Sequence, residues 1–432
     1  MLVISSLIFY AWGEPIWIIA LILSALVDYT NGFIINKYYG TRKATAALIS
    51  SLVINLGLLA FFKYASFVVS SVNDIFSLSI EPPAFGLPLG ISFYTFQTLS
   101  YTIDMYRGRT RVQTSLLRFM VYVSMFPQLV AGPTVRYDDV APSLRMRTVS
   151  WEGFASGARR FSAGLAKKVL LANNAGAAAS VILDGPLSRL SAFSAWLGIV
   201  MYAFQIYFDF SGYSDMAIGL GSMLGFKFRE NFDYPYISKS ITDFWRRWHI
   251  SLSSFFRDYV YIPLGGNRYR AVRNILIVWL LTGLWHGAGW NFILWGLYYG
   301  VLLIIEKYAF GGALRSLPPV ISSIYTLALV VFGWALFYYT DYARLIEFIP
   351  ALFGKTSLYD LTTLSSFYSN LWLIIVCVIA STPIPRIIYT HLCKTSYVFA
   401  AISEPLLVAL GFILSLALIA GQSYNPFLYF RF

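Results

Sequence analysis

Long apolar stretches separated by short polar segments dominate the chain. An α-helix rises 1.5 Å per residue and the hydrocarbon core of a bilayer is about 30 Å thick, so about 20 apolar residues predict a span. Such windows lie near residues 16–36, 44–62, 84–105, 194–225, 275–305, 320–340, 366–390 and 397–421. Shorter or amphipathic candidates lie at residues 2–12, 64–80, 116–135, 150–183 and 240–262. The pattern predicts an all-α polytopic membrane protein with about ten membrane elements, including re-entrant and interfacial helices.

The amino-acid composition excludes a soluble globular protein. Of the 432 residues, 58% are apolar or aromatic and only 12% are charged, whereas soluble domains carry about 25% charged residues. An outer-membrane barrel is excluded as well, because its strands alternate in polarity while residues 275–305 form one unbroken apolar run. No linker, low-complexity tract or repeat interrupts the sequence, so we expect one integral membrane domain over residues 1–432.

The net charge of +12 is concentrated in two segments. Residues 107–168 carry eleven Lys or Arg against three acids, and residues 227–273 carry nine against four. Such clusters favour the cytoplasmic side and anionic lipid rather than nucleic acid as their partner. Because both flanks of residues 116–135 are basic, and Pro127 and Gly132 interrupt that window, we expect it to be a broken or re-entrant segment.

Residues 240–262 are predicted to form one amphipathic helix. Trp245 and Trp248 fall on its aromatic side, which we expect to lie in the cytoplasmic interface of the membrane. His249 follows Trp245 at the i+4 position. A helix that only anchors the protein to lipid is the alternative interpretation.

His286 is the most informative ionisable residue. It is the only Asp, Glu, Lys, Arg or His in the run 275–305, and it lies twelve residues after Asn274, or about 18 Å along a helix. Ionisable groups at such depth are costly and are functional by default. Burial disfavours the charged imidazole, so we expect a neutral general base. The alternative is a neutral histidine that donates to a carbonyl in a tightly packed helix, beside Gly283, Gly287 and Gly289.

Other polar groups lie within the apolar windows. Asp104, Asp209, Asp215 and Asn291 are interpreted as groups that either line a polar passage or form structural pairs. Asn291 and the backbone N–H near Gly287 are candidate oxyanion donors. Neither a nucleotide-binding glycine loop nor an HExxH zinc motif occurs, so we predict no metal and no permanently bound cofactor.

Several stretches together resemble a known family, the membrane-bound O-acyltransferases, and within it the bacterial alginate O-acetyltransferase type. They are Phe9-Tyr-Ala-Trp-Gly-Glu-Pro15, Pro88-Leu-Gly-Ile-Ser-Phe-Tyr-Thr-Phe-Gln97, Tyr101-Thr-Ile-Asp-Met-Tyr-Arg-Gly108, Phe126-Pro-Gln-Leu-Val-Ala-Gly-Pro133, Asp209-Phe-Ser-Gly-Tyr-Ser-Asp215, Asp243-Phe-Trp-Arg-Arg-Trp-His-Ile-Ser-Leu252, Arg257-Asp-Tyr-Val-Tyr-Ile-Pro-Leu-Gly-Gly-Asn-Arg268, Gly283-Leu-Trp-His-Gly287 and Tyr429-Phe-Arg-Phe432. Only nine residues precede Tyr10, where the family has a further hydrophobic segment, so a first span is expected to be missing from this sequence.

The resemblance implies that the two signature histidines of the family are His249 and His286, with His286 as the catalytic one. It further implies that acetyl-CoA in the cytoplasm is the donor, that the protein lies in the bacterial inner membrane, and that a periplasmic SGNH-like acetyltransferase or acetyl carrier passes the acetyl group to a polysaccharide. His249 is then expected to support catalysis at the cytoplasmic mouth. Donor-binding candidates there are Trp245, Arg246, Arg247 and Trp248.

Two alternatives remain open at this point. A transporter would use His286 as a proton relay. A related acyltransferase would move another acyl unit or use another acceptor, as in D-alanylation of teichoic acid or acetylation of peptidoglycan or cellulose.

Overall fold

The computed structural model describes residues 1–129, 132–421 and 427, and the regular elements in these residues are all helical. The stretch 429–432 that resembles the family lies outside the described residues. The helices are α1 (Leu2–Gly13), α2 (Ile18–Lys37), α3 (Arg42–Phe76), α4 (Ile91–Tyr106), α5 (Leu116–Ser124), α6 (Phe126–Leu129), α7 (Tyr137–Arg145), α8 (Trp151–Ala166), α9 (Asn173–Leu183), α10 (Ala192–Met223), α11 (Ile241–Arg247), α12 (Ile250–Phe256), α13 (Ala271–His286), α14 (Trp290–Ile305), α15 (Gly311–Ser316), α16 (Pro319–Tyr338), α17 (Tyr342–Leu352), α18 (Leu361–Ser369), α19 (Leu371–Ala380), α20 (Ile384–Thr395) and α21 (Tyr397–Gly421).

Six helical segments among the described residues are long and apolar enough to cross a membrane, one of them running from α14 through α15. A seventh span is possible by length if α18 and α19, which meet at a bend of 57°, are counted together. The six are Ile18–Lys37, Arg42–Phe76, Ala192–Met223, Trp290–Ser316, Pro319–Tyr338 and Tyr397–Gly421. The prediction of an all-α, multi-pass membrane protein is therefore confirmed.

The chain divides into two compact units, Met1–Ala158 with Ala217–Arg229, and Arg159–Met216 with Glu230–Phe432. The single domain expected from the sequence stays a prediction. Each unit has its own apolar core, and all the residues of the candidate site described below belong to the second unit.

Helices α2, α3 and α4 of the first unit enclose a buried polar network. Asp28 is fully buried and accepts hydrogen bonds from Ser51 Oγ at 2.5 Å and Asn55 Nδ2 at 3.0 Å. Ser51 Oγ also lies 3.0 Å from Thr102 Oγ1 on α4. A carboxyl group buried among apolar helices needs such partners, so the network ties the three helices together.

The window 116–135 is broken, as its prolines and glycine predict. Nine residues form α5, and four more form α6 after a break at Met125. Backbone groups freed at the break are covered by side chains: Gln128 Nε2 donates to the Tyr122 carbonyl at 2.6 Å, and Ser6 Oγ accepts from the Phe126 N–H at 3.3 Å. A helix of nine residues rises only about 14 Å, too little to span a membrane.

The run 275–305 is not one long helix but a hairpin. Helix α13 ends at His286, the residues Gly287 to Gly289 turn the chain, and α14 begins at Trp290. The two helices pack so closely that a Cβ added at Gly283 would lie 2.3 Å from the Phe292 carbonyl oxygen, and one at Gly296 would lie 2.3 Å from that of Trp279. Hydropathy alone did not distinguish this hairpin from a single span. The glycines allow the close packing.

Candidate active site

The segment 240–262 is broken at its histidine, so the prediction of one continuous amphipathic helix is wrong. Helix α11 ends at Arg247, α12 begins at Ile250, and His249 between them adopts a left-handed backbone conformation with φ of +47°. This conformation is unfavourable for a residue with a Cβ and persists only where the surroundings impose it.

The aromatic stripe of this segment packs against protein rather than lipid, which corrects the predicted interfacial position. Trp245 is 8% exposed and Trp248 only 2%. The ring of Trp245 lies 4.7 Å from that of Trp279 and 4.8 Å from that of Tyr299, and Trp248 lies 4.9 Å from Trp334. The stripe therefore forms part of the core of the second unit.

Glu306, just after α14, anchors the start of α11. Its buried carboxylate accepts from the backbone N–H groups of Ile241 at 2.6 Å and Thr242 at 3.0 Å, and from Thr242 Oγ1 at 3.1 Å. A carboxylate at a helix N-terminus satisfies free N–H groups and complements the helix dipole. The hairpin that carries His286 is thus joined directly to the segment that carries His249.

His286 occupies the last position of α13 and is 6% exposed. Three aromatic rings surround its imidazole, with centroids 5.0 Å away for Trp285, 4.9 Å for Trp295 and 5.3 Å for Phe337. The Gly287 N–H, one of the candidate oxyanion donors, closes the end of α13 by donating to the Gly283 carbonyl at 3.4 Å. The role of a backbone N–H near Gly287 as an oxyanion donor stays a prediction.

His249 is buried more completely, at 1% exposed. Its ring lies 4.6 Å from Phe210 and 5.7 Å from Trp285, so Trp285 contacts both histidines. Nδ1 lies 3.2 Å from Asn231 Oδ1. Burial lowers the pKa of His249 well below its usual range, because the charged imidazolium is poorly solvated there.

A single cavity of about 270 Å³ brings the two histidines together. Its walls are mostly apolar. They are formed by Thr242, Trp245, Arg246, His249, Leu252, Ser253, Phe256, Arg257, Tyr261, Ile275, Val278, Trp279, Thr282, His286 and Leu303. A mostly apolar pocket with a few convergent polar groups is typical of a small-molecule or catalytic site.

Only two of the four residues predicted to bind the donor line the cavity. Trp245 and Arg246 line the cavity, whereas Arg247 and Trp248 do not. Arg247 instead pairs with Asp243 at 2.9 Å and Asp233 at 3.3 Å. Of the two predicted arginines, Arg246 is therefore the one at the cavity, and it forms no ion pair among the described residues.

The predicted polar groups of the apolar windows do not line this cavity. Asp209 pairs with Lys168 Nζ at 2.5 Å, and Asp215 pairs with both Arg160 and Lys167 at 2.7 and 2.6 Å. These contacts favour the structural-pair interpretation over a polar passage for the two carboxylates.

Asp104 and Asn291 lie elsewhere. Asp104 is on α4 in the first unit and is 8% exposed. Asn291 is in the first turn of α14, immediately after the glycine turn, and is 1% exposed. Its part as an oxyanion donor stays a prediction.

Residues that the sequence did not single out also belong to the site. Arg257, Tyr261 and Thr282 line the cavity, and Asn231 and Glu306 hold its walls in place. Arg257 and Tyr261 lie in a stretch that resembles the family, which was the available signal. Nothing in the sequence marked Asn231 or Glu306, because their partners are distant along the chain.

The sequence profile of the membrane-bound O-acyltransferase family matches residues 84–346. A probable alginate O-acetylase, AlgI, of Pseudomonas aeruginosa is 45% identical over 78% of this chain and 66% of its own length. The protein of the same name from Azotobacter vinelandii is 38% identical over 100% of this chain and 94% of its own. A peptidoglycan O-acetyltransferase of Helicobacter pylori is 35% identical over 82% of this chain and 73% of its own.

Proposed function

The chain belongs to the membrane-bound O-acyltransferase family, and we propose that it moves an acetyl group from cytoplasmic acetyl-CoA for the O-acetylation of an exopolysaccharide such as alginate. The observation that carries this proposal is the cavity shared by His249 and His286. It offers a proton acceptor, apolar walls and arginine side chains in one place. We further propose that the protein lies in the bacterial inner membrane.

The donor enters the cavity at the side of Arg246 and Arg257. Arg246 is exposed and also lines the cavity, which suits a group that meets a phosphate of coenzyme A from solution. Arg257 also lines the cavity, while its Nε donates to Asp258 at 2.7 Å. The apolar arm of the donor then packs against Trp245 and Trp279 deeper in the cavity.

The chemistry is acyl transfer from a thioester to an alcohol. His286 takes the proton of the incoming hydroxyl as the hydroxyl oxygen attacks the thioester carbonyl carbon. A C–O bond forms, the C–S bond breaks, and the proton passes to the departing thiolate of coenzyme A. A positioned base contributes about 10²–10⁴-fold to the rate of such a reaction.

The apolar walls serve the reaction by limiting water. A thioester is already activated, so hydrolysis competes with transfer unless water is excluded. The indole rings of Trp285 and Trp295 beside His286 make its surroundings apolar.

Acetyl groups then pass to a periplasmic acceptor: an SGNH-like acetyltransferase or an acetyl carrier that modifies the polysaccharide. The test is a reconstitution of the purified protein in vesicles with radiolabelled acetyl-CoA on the Arg246 side. We expect free coenzyme A to be released together with labelled acceptor when a hydroxyl-bearing polysaccharide and its periplasmic acetyltransferase are supplied.

The controls separate the competing functions. Label that crosses the vesicle membrane while acetyl-CoA stays intact would identify a transporter. Transfer only from a D-alanyl thioester, or only to peptidoglycan fragments, would keep the acyltransferase but replace the proposed donor or acceptor.

A further inference from the structure

Asn231 is the hub of the hydrogen bonds around His249. It lies in the loop between α10 and α11 and is 1% exposed. Its Oδ1 accepts from the Ser251 N–H at 3.2 Å and from Ser251 Oγ at 2.8 Å, and it faces His249 Nδ1 at 3.2 Å. Its Nδ2 donates to Ser214 Oγ at 3.1 Å, and its carbonyl accepts from the Ile250 N–H at 2.9 Å.

These contacts determine which ring nitrogen of His249 carries the hydrogen. A backbone N–H can only donate, so the side-chain atom of Asn231 that meets the Ser251 N–H has to be the oxygen. That oxygen has no hydrogen to give. The contact with His249 Nδ1 is therefore a hydrogen bond only if Nδ1 is the donor. A neutral imidazole with its hydrogen on Nδ1 keeps a lone pair on Nε2.

Within the described part of the chain, no donor uses the lone pair on Nε2. Nε2 is buried and has no hydrogen-bond partner among residues 1–129, 132–421 and 427, and His249 forms part of the cavity wall. The backbone at His249 is left-handed, and the hydrogen bond from the Ile250 N–H to the Asn231 carbonyl fixes the chain next to it. A buried acceptor without a hydrogen-bond partner costs stability. Hydrogen bonding to an N–H or O–H group of a substrate would explain why the protein leaves Nε2 without a partner of its own.

We propose that Asn231 is a positioning residue that fixes His249 as the Nδ1–H tautomer, so that Nε2 is presented in the cavity as a hydrogen-bond acceptor for an N–H or O–H group of the bound substrate. This inference rests on the proposed function, because it takes the cavity to be the place of acyl transfer. It gives the two histidines separate tasks: His286 removes the proton, and His249 holds the substrate.

The direct test is the tautomer itself, which ¹⁵N-histidine NMR reads without any turnover. The chain has only three histidines, and a His249→Gln variant assigns the signals of His249 by their loss. We expect a protonated Nδ1 and an unprotonated Nε2 at pH 7 in the wild-type protein. A hydrogen on Nε2, or on both nitrogens, would overturn the proposal.

Kinetics of two variants separate positioning from simple structural support. Asn231→Leu removes the acceptor of Nδ1, and Ser214→Ala removes only the acceptor of Asn231 Nδ2. We expect Asn231→Leu to show a mixed tautomer and a KM for the hydroxyl acceptor that is raised about 10-fold, as the loss of one hydrogen bond to the bound substrate predicts, with a smaller effect on kcat. Ser214→Ala should keep the tautomer and the rate.

The outcomes remain distinguishable. Should Asn231→Leu not fold, the wild-type NMR result still decides the tautomer. Equal losses in both variants, or full activity of Asn231→Leu, would refute the positioning role while leaving acyl transfer intact. Absence of any transfer by the wild-type protein with a Nδ1–H tautomer in place would reject the proposed function instead.

Discussion

A single methyl group on Gly296 tests whether the close packing of α13 and α14 sets the position of His286. The Cβ of alanine there would lie 2.3 Å from the Trp279 carbonyl oxygen, whereas ordinary contacts begin near 3.4 Å. The helices must therefore separate by 3.4 minus 2.3, or about 1 Å. Overpacking of this kind costs about 1–3 kcal/mol of stability.

The same displacement reaches the catalytic geometry. Trp295 precedes Gly296 and its ring lies 4.9 Å from that of His286, so a shift of α14 alters the surroundings of the base. Because a misplacement of 1 Å can cost about 10²-fold in rate, we expect Gly296→Ala to lower kcat by about that factor. The assay is acyl transfer by purified protein that elutes as a single species on gel filtration.

Gly300→Ala on the same helix is the matched control. Its Cβ would lie 3.3 Å from Trp279 Cβ, a contact that relaxes by a few tenths of an ångström. We expect nearly wild-type activity. If Gly296→Ala transfers at the wild-type rate, or if both variants lose activity equally, the packing of the hairpin does not position the base.

Three further outcomes follow from other parts of the site. Glu306→Ala leaves the N–H groups at the start of α11 without the carboxylate that accepts from them. The variant should lower the free energy of unfolding, measured by denaturation in detergent, by about 1–3 kcal/mol. Glu347→Gln, at an exposed position, should leave the free energy of unfolding unchanged. Arg246→Gln should raise KM for acetyl-CoA and weaken its salt dependence, whereas Arg247→Gln should not, because Arg246 lines the cavity and Arg247 does not. Burial lowers the pKa of His249, so below about pH 6.5 the unfolded chain gains a proton there that the folded protein does not. The thermal stability should therefore decrease as the pH is lowered below about 6.5, and His249→Asn should make this decrease smaller.

The sequence was sufficient for those features that depend on local composition. Hydropathy located the spans because each must be apolar along its length, and Pro127 marked the broken segment because a proline has no N–H for a helical hydrogen bond. His286 stood out because a lone ionisable group in an apolar run is rare.

Features set by distant contacts could not be predicted in this way. The helical period of residues 240–262 continues through the break at His249, because the break is held by hydrogen bonds that Asn231 accepts from His249 and Ile250 and not by a proline or glycine. The aromatic stripe suits a membrane interface and a protein core equally well. Only the surrounding tryptophans, contributed by α13, α14 and α16, distinguish the two.

The removal of the imidazole of His286 tests the central claim most directly. His286→Gln keeps a polar side chain of similar size, so the purified variant should remain folded and should bind acetyl-CoA as the wild type does. We expect its kcat for acyl transfer to be about 10²–10⁴-fold lower. A folded His286→Gln protein that acetylates its acceptor at the wild-type rate would contradict the assignment of His286 as the base.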